Sequence, residues 1–169
     1  MPRADGIDQG IEVTISTDVS PGESVARVVD SVRCIFPEFP TSTNLSPSSF
    51  PCGNQKISLQ SEGMSLANFL GLAAQQRVLD TALDSMSEHL IDDESIFSIS
   101  RQAALVEKIS FCRKGESVLG GIITITLKGL QLAEWIEEAT WHPGRDAVPR
   151  NVRDELSMGE DGEPITWID

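Results

Sequence analysis

The feature that most constrains this chain is a run of three extended segments with no helix-length stretch between them. Ile96, Phe97 and Ile99 form one, Val106, Ile109 and Phe111 the next, and Ile122 to Leu127 the third. Arg101 to Ala104 connects the first two as one helical turn; Lys114-Gly115-Glu116 and Gly120-Gly121 break the chain before the third. Strands that are not regularly interleaved with helices do not build a doubly wound parallel sheet. The expected class is α+β: a single, mostly antiparallel sheet with helices packed on one face, in the order β-α-β-α-β-β-β-α. The opposite face is left for solvent or a partner.

The first half of the chain supplies the other elements. Ile11, Val13 and Ile15 alternate with Glu12, Thr14 and Ser16, the period-2 pattern of a half-buried strand. Ser20-Pro21-Gly22-Glu23 reads as a capping box opening a helix, with Val25, Val28, Val29, Val32 and Ile35 on its apolar face and an end before Pro37. Residues 37–54 carry four prolines among many Ser and Thr, an irregular loop. A second strand runs from Lys56 to Glu62, and Ser65 can cap the next helix. That helix has a stripe of Leu66, Phe69, Leu70 and Ala73, then a second stripe of Leu79, Ala82, Leu83, Met86 and Leu90. The two stripes are out of phase, which predicts a break across 74–78. Asp92-Asp93-Glu94 is a turn. Phe97 and Phe111 sit on strands, and Phe97 reads as out of phase with Ile96 and Ile99, so one of the two aromatics is a candidate to face outward for stacking; core packing is the competing reading for both. The last helix is expected over Leu130–Ala139, with Leu132, Trp135, Ile136 and Ala139 inward. Residues 1–141 read as one domain. Residues 142–169 read as an acidic, partly disordered tail that Trp141, Ile165, Trp167 and Ile168 can dock.

Charge is informative through its distribution. The net charge is −13 over 169 residues. Residues 1–100 hold 5 basic and 14 acidic groups and residues 129–169 hold 3 and 10, whereas residues 101–128 hold 5 basic against 2 acidic. A broad nucleic-acid surface requires cations everywhere it touches phosphate, and the chain does not offer one. One local basic strip on an acidic body can bind RNA at a single face; the competing reading is a solvated strand pair with ordinary Lys and Arg. Asp80, Asp84 and Glu88 recur at i, i+4 and i+8, a solvated helix face whose self-repulsion salt would screen. With nine Arg against four Lys, this pattern also suits a halophilic source, in which melting temperature rises with salt.

Several chemistries are disfavoured. Cys34, Cys52 and Cys112 are odd in number and widely spaced, so no disulfide framework is expected. His89 and His142 lack ligands at helical spacing, so no metal site is expected. A P-loop and a G-x-S-x-G elbow are absent from the sequence. The expectation is a non-enzymatic protein without cofactor. With no apolar h-region at the N-terminus and no membrane-length apolar run, it is expected to be cytoplasmic and to bind no membrane.

The segments QQRVLDTA, RQAALVEKISF and SVLGGIITITL together resemble an archaeal family of uncharacterised proteins, catalogued as a predicted exosome-associated RNA-binding domain whose fold resembles large-ribosomal-subunit protein five. The resemblance spans most of residues 10–140 and is close over 75–122. Arg77 and Asp80 match the family's "RxLDxAR", Arg101 to Ala104 its "KQAA", Lys108 its strand lysine, and Leu119-Gly120 its "PLG" turn. Leu83 stands where the family usually carries Arg, Arg101 replaces Lys, and Val118 replaces Pro. The resemblance implies RNA binding, with a protein partner in RNA processing and a homodimer as further expectations. Candidate RNA-binding residues are Arg77, Arg101, Gln102, Lys108, Arg113 and Lys114, because guanidinium, ammonium and carboxamide N–H groups suit phosphate oxygens. The alternative is a protein-interaction or dimerisation domain with no nucleic-acid role, using the open sheet face or a sheet edge.

Overall fold

Three alternating strands make the centre of the sheet. In a computed structural model, which describes residues 6–41, 56–113 and 115–152, β1 (Glu12–Val19) buries Val13, Ile15, Thr17 and Val19. Its polar residues turn to the other face. The remaining strands are β2 (Ile57–Ser61), β3 (Glu94–Ser100), β4 (Phe111–Cys112) and β5 (Ile122–Lys128). They form one five-stranded sheet in the order β2-β1-β5-β3-β4, every neighbour antiparallel. Register places Ile15, Ile125 and Phe97 in one inward row, and Thr17, Ile123 and Ile99 in the next. A slip by one residue would turn each row to solvent, so burial fixes the register.

Among the described residues, helices cover the inner face only. They are α1 (Val25–Arg33), α2 (Ala67–Gln75), α3 (Leu79–Glu88), the single turn α4 (Arg101–Ala104), α5 (Leu132–Ala139) and the short α6 (Gly144–Ala147). Leu132, Trp135, Ile136 and Ala139 are inward, as their spacing predicts. Phe69 of α2 sits amid Phe36, Phe97 and Phe111, with ring centroids 6.2, 5.8 and 6.2 Å away. Phe97 is therefore core, and Ile96 is the outward residue. The break between the two apolar stripes is real. Arg77 adopts φ +58°, a left-handed residue that ends α2 and resets the helix phase for α3.

Three expectations need correction. Ser20 and Glu23 do bond reciprocally (Glu23 N–H to the Ser20 carbonyl, 3.0 Å; Ser20 N–H to Glu23 Oε2, 2.8 Å), but Gly22 at φ +90° makes this a turn, and α1 begins only at Val25. The strand proposed over 106–111 shrinks to Phe111–Cys112. Val106 is exposed, Glu107 turns at φ +56°, and Ile109 reaches the core from a loop held by Gln76. The helix expected over Leu130–Ala139 starts at Leu132 because Gln131 is left-handed (φ +57°), which leaves Leu130 exposed, and it is followed by α6. Cys52, most of the 37–54 loop, Ile165, Trp167 and Ile168 lie outside the described residues.

The start of the acidic tail is pinned to α3. Arg145, 7% exposed, donates to Asp80 Oδ1 (2.9 Å), to the Glu137 carbonyl and to both oxygens of Thr140. His142 Nε2 lies 3.0 Å from the same Asp80 oxygen. Arg150 grips both oxygens of Asp84 at 2.5 and 2.6 Å, and the Val152 N–H reaches Glu137 Oε1 at 2.8 Å. Two of the three carboxylates that read as a solvated face are thus ion-pair anchors. Burial pushes the Asp80 carboxyl up, but hydrogen bonds from Arg145 and His142 outweigh it and hold the group below its ordinary value. A depressed carboxyl stabilises the fold above the unfolded-chain pKa, about 3.9, and loses that contribution as pH falls through the folded value. Asp80→Asn is expected to cost about 1–2 kcal/mol at pH 7 by urea unfolding. The gap to wild type should narrow as pH falls below the unfolded-chain value of about 3.9; a gap independent of pH would contradict the ionised anchor.

Candidate nucleic-acid interface

Three chain reversals converge at one end of the central strands. The Ser20–Glu23 turn follows β1 and leads into α1. Ser100 closes β3 and caps α4, its Oγ accepting from the Ala103 N–H at 3.2 Å. The 118–121 turn leads into β5, with Gly120 and Gly121 both at φ +82°. Arg101 joins all three. Its Nε donates to the Gly120 carbonyl (2.8 Å), its Nη1 to the Asp18 carbonyl (2.7 Å) and Thr17 Oγ1 (3.0 Å), and its Nη2 to Glu23 Oε1 (2.5 Å). The residue is 4% exposed. A Cβ on Gly121 would stand 2.6 Å from Nη2 and 2.8 Å from Cζ, so the second glycine is where the guanidinium lies.

This geometry corrects one sequence expectation. The sequence offers the Arg101 guanidinium to phosphate oxygens; in the fold, acceptors within the chain take four of its five N–H groups. It is a staple joining β1, the Ser20–Glu23 turn, α4 and the 118–121 turn.

Beside this staple opens a cleft of about 720 Å³. The α1 side contributes Ser24, Arg27 and Val28, the α4 side Gln102 and Leu105, and the turn Leu119. Arg27, Gln102, Leu105 and Leu119 are exposed. Among the described residues, the lining holds Arg27 and Arg101 against one carboxylate, Glu23, a positive local balance on a chain of net charge −13. Glu23 is engaged through both oxygens, by Arg101 and by the Ser20 N–H.

The other candidates divide. Lys108 is exposed on the link that follows Leu105. Gln76 clamps that link from α2, donating to the Glu107 carbonyl (2.8 Å) and accepting from the Ile109 N–H (2.9 Å), which brings the neighbouring, exposed Arg77 to the same region. Arg113 sits apart, lining a separate cavity of about 380 Å³ with His89, Cys112 and Glu116. Burial, then the Glu116 carboxylate, pushes the Cys112 thiol up, so it is a poor nucleophile at neutral pH. Lys114 lies outside the described residues. Leu83, the departure from the family's Arg, is fully buried, where an unpaired cation would be costly. Periodicity missed Arg27, whose only signal is its place beside the valine stripe of α1. It also missed Leu105 and Leu119 as cleft walls.

The fold and cleft define a small α+β protein with one open sheet face and a cationic cleft at the strand ends. No family model matches the chain. A protein of Sulfurisphaera tokodaii described as a UPF0201 protein is 30% identical over 132 residues, covering 76% of this chain and 88% of that protein. A UPF0200/UPF0201 protein of Archaeoglobus fulgidus is 26% identical over 136 residues, and the chain spans 37% of its length. The crystal structure of a UPF0201 protein from Methanococcus jannaschii shares the fold at a TM-score of 0.64 and 20% identity, covering 77% of this chain and 99% of that one. A second, described as an uncharacterized UPF0201 protein, does so at 0.60 and 24%, covering 77% and 94%. The chain belongs to the UPF0201 family. Among the described residues, no helix is long and apolar enough to cross a membrane.

Proposed function

We propose that this chain is a non-enzymatic RNA-binding protein that serves as an accessory in RNA processing, as its resemblance to a predicted exosome-associated, ribosomal-protein-five-like family implies. The observation that carries this reading is the cleft beside Arg101, lined by the exposed Arg27 and Gln102 on a chain of net charge −13, with Lys108 on the link that follows Leu105. The RNA contacts are moved from Arg101 to Arg27, Gln102, Lys108 and Arg77, whose side chains reach solvent. Arg101 holds the frame that presents them.

Three phosphate contacts on single-stranded RNA give a slope of about −2 in log affinity against log salt, so binding should fall roughly tenfold to twentyfold between 50 and 200 mM salt. Arg27→Glu and Lys108→Glu should each weaken binding and lower the slope by about 0.7. Fluorescence anisotropy with labelled RNA reads both effects. Salt-independent affinity, or no binding at low salt, would contradict the reading.

The alternative of a protein-interaction or dimerisation domain is favoured by one observation. The centre of the outer sheet face, from Thr14 and Ser16 across Thr124 and Thr126 to Ile96 and Ser98, carries no charge. Two copies of an acidic chain could meet there without like-charge repulsion. A mass of one protomer by light scattering at all concentrations would exclude self-association.

A further inference from the structure

We infer that the cleft between α1, α4 and the 118–121 turn is a slot for one unpaired nucleotide, so the RNA this chain takes is single-stranded. The inference rests on the RNA reading and specifies its ligand.

Size comes first. About 720 Å³ lies within the range of roughly 300–1,000 Å³ that holds one small molecule, and is far too small for a duplex. The walls come next. Leu105 and Leu119 are 55% and 86% exposed on the α4 and turn sides, and Val28 lines the α1 side. Apolar walls of this kind can cover the faces of an unstacked base, as pockets for extruded bases do with aromatic and apolar side chains.

The polar groups fit the rest of a nucleotide. Gln102 carries both N–H donors and a carbonyl acceptor, the pair of functions needed to read a base edge. It lies close over Gly120, where a Cβ would stand 3.1 Å from the Gln102 Cβ, so a glycine there lets Gln102 sit at the cleft. Arg27 supplies an exposed guanidinium for the phosphate. Ser24, which makes no side-chain capping bond to α1, adds a hydroxyl-bearing residue to the lining. Glu23, the one carboxylate among the described lining residues, is compensated by Arg101 and does not repel an anion at full strength. A base inside a duplex presents neither its faces nor its Watson–Crick edge, so only an unpaired nucleotide can enter.

The test compares an eight-nucleotide single strand, its duplex, and the four nucleoside 5′-monophosphates against the full chain. The single strand should bind at least tenfold more tightly than the duplex. Leu119→Ser removes an exposed wall without touching the core, and it should erase that preference while leaving the melting temperature unchanged. The monophosphates should compete weakly with the single strand. Equal affinity for strand and duplex, with Leu119→Ser silent, would overturn the slot and leave RNA binding standing. Monophosphates that bind tightly while the RNA strand does not would overturn the slot's assignment to RNA in favour of a free nucleotide. Absence of all binding by wild type would overturn both readings.

Discussion

Arg101→Ala is expected to lower stability by about 3 kcal/mol, roughly 6–12 °C in melting temperature for a chain of this size. The guanidinium satisfies two backbone carbonyls, a threonine hydroxyl and a carboxylate, all from segments far away in sequence. Deleting it removes the donor from the part-buried Asp18 and Gly120 carbonyls and from Thr17 Oγ1 and takes the cation from Glu23, and losing four bonds at one point is what makes the deletion costly. Glu23 is 31% exposed at its side chain, so solvent recovers part of the loss; this keeps the expectation below the upper range for a fully buried pair. Arg101→Lys should fall between wild type and alanine. An ammonium keeps the charge but cannot present the fork that reaches Gly120, Asp18 and Glu23 together. Urea unfolding checks the order: equal midpoints for wild type and Arg101→Ala would mean that the staple carries nothing.

Gly121→Ala is expected to cost about 2–3 kcal/mol, in two separable parts. A side chain at φ +82° is strained by about 1–2 kcal/mol wherever it stands. Here the new methyl also lands on the Arg101 guanidinium, which must move and loosen its hydrogen bonds. The two substitutions therefore couple. Once Arg101 is alanine the space is vacant, and adding Gly121→Ala should cost only the strain, about 1–2 kcal/mol. A double-mutant cycle in urea measures this directly; strict additivity would show that the glycine serves the turn alone.

The fold was legible where a single period governs a segment. Glu12–Val19 and Ile122–Lys128 alternate cleanly because one face is core and the other is not. The break at Arg77 was visible as a phase shift between apolar stripes, since a left-handed residue rotates everything after it. Legibility failed where a partner lies far along the chain or a turn hides in permissive residues. Asp80 and Asp84 read as solvated because Arg145 and Arg150 stand 65 and 66 residues later. Arg101 read as a phosphate ligand because nothing local announces acceptors at Thr17, Asp18 and Glu23. Val106, Ile109 and Phe111 imitate strand spacing, yet Glu107 reverses the chain among them. Ser20 and Glu23 keep the bond of a capping box while Gly22 prevents the helix. The cleft was only half visible: Gln102 stood out with the 101–104 motif, whereas Arg27 and Leu119 enter it from segments far apart in sequence.

Amide chemical-shift mapping during titration with a short single-stranded RNA at low salt distinguishes the proposed cleft site from the outer sheet face. The account predicts shifts grouped at Ser24–Val28, Gln102–Lys108 and Leu119–Gly121, weakened in Arg27→Glu and reversed by added salt. An unperturbed spectrum, or shifts confined to Thr14, Ser16, Thr124 and Thr126 on the outer face, would contradict it.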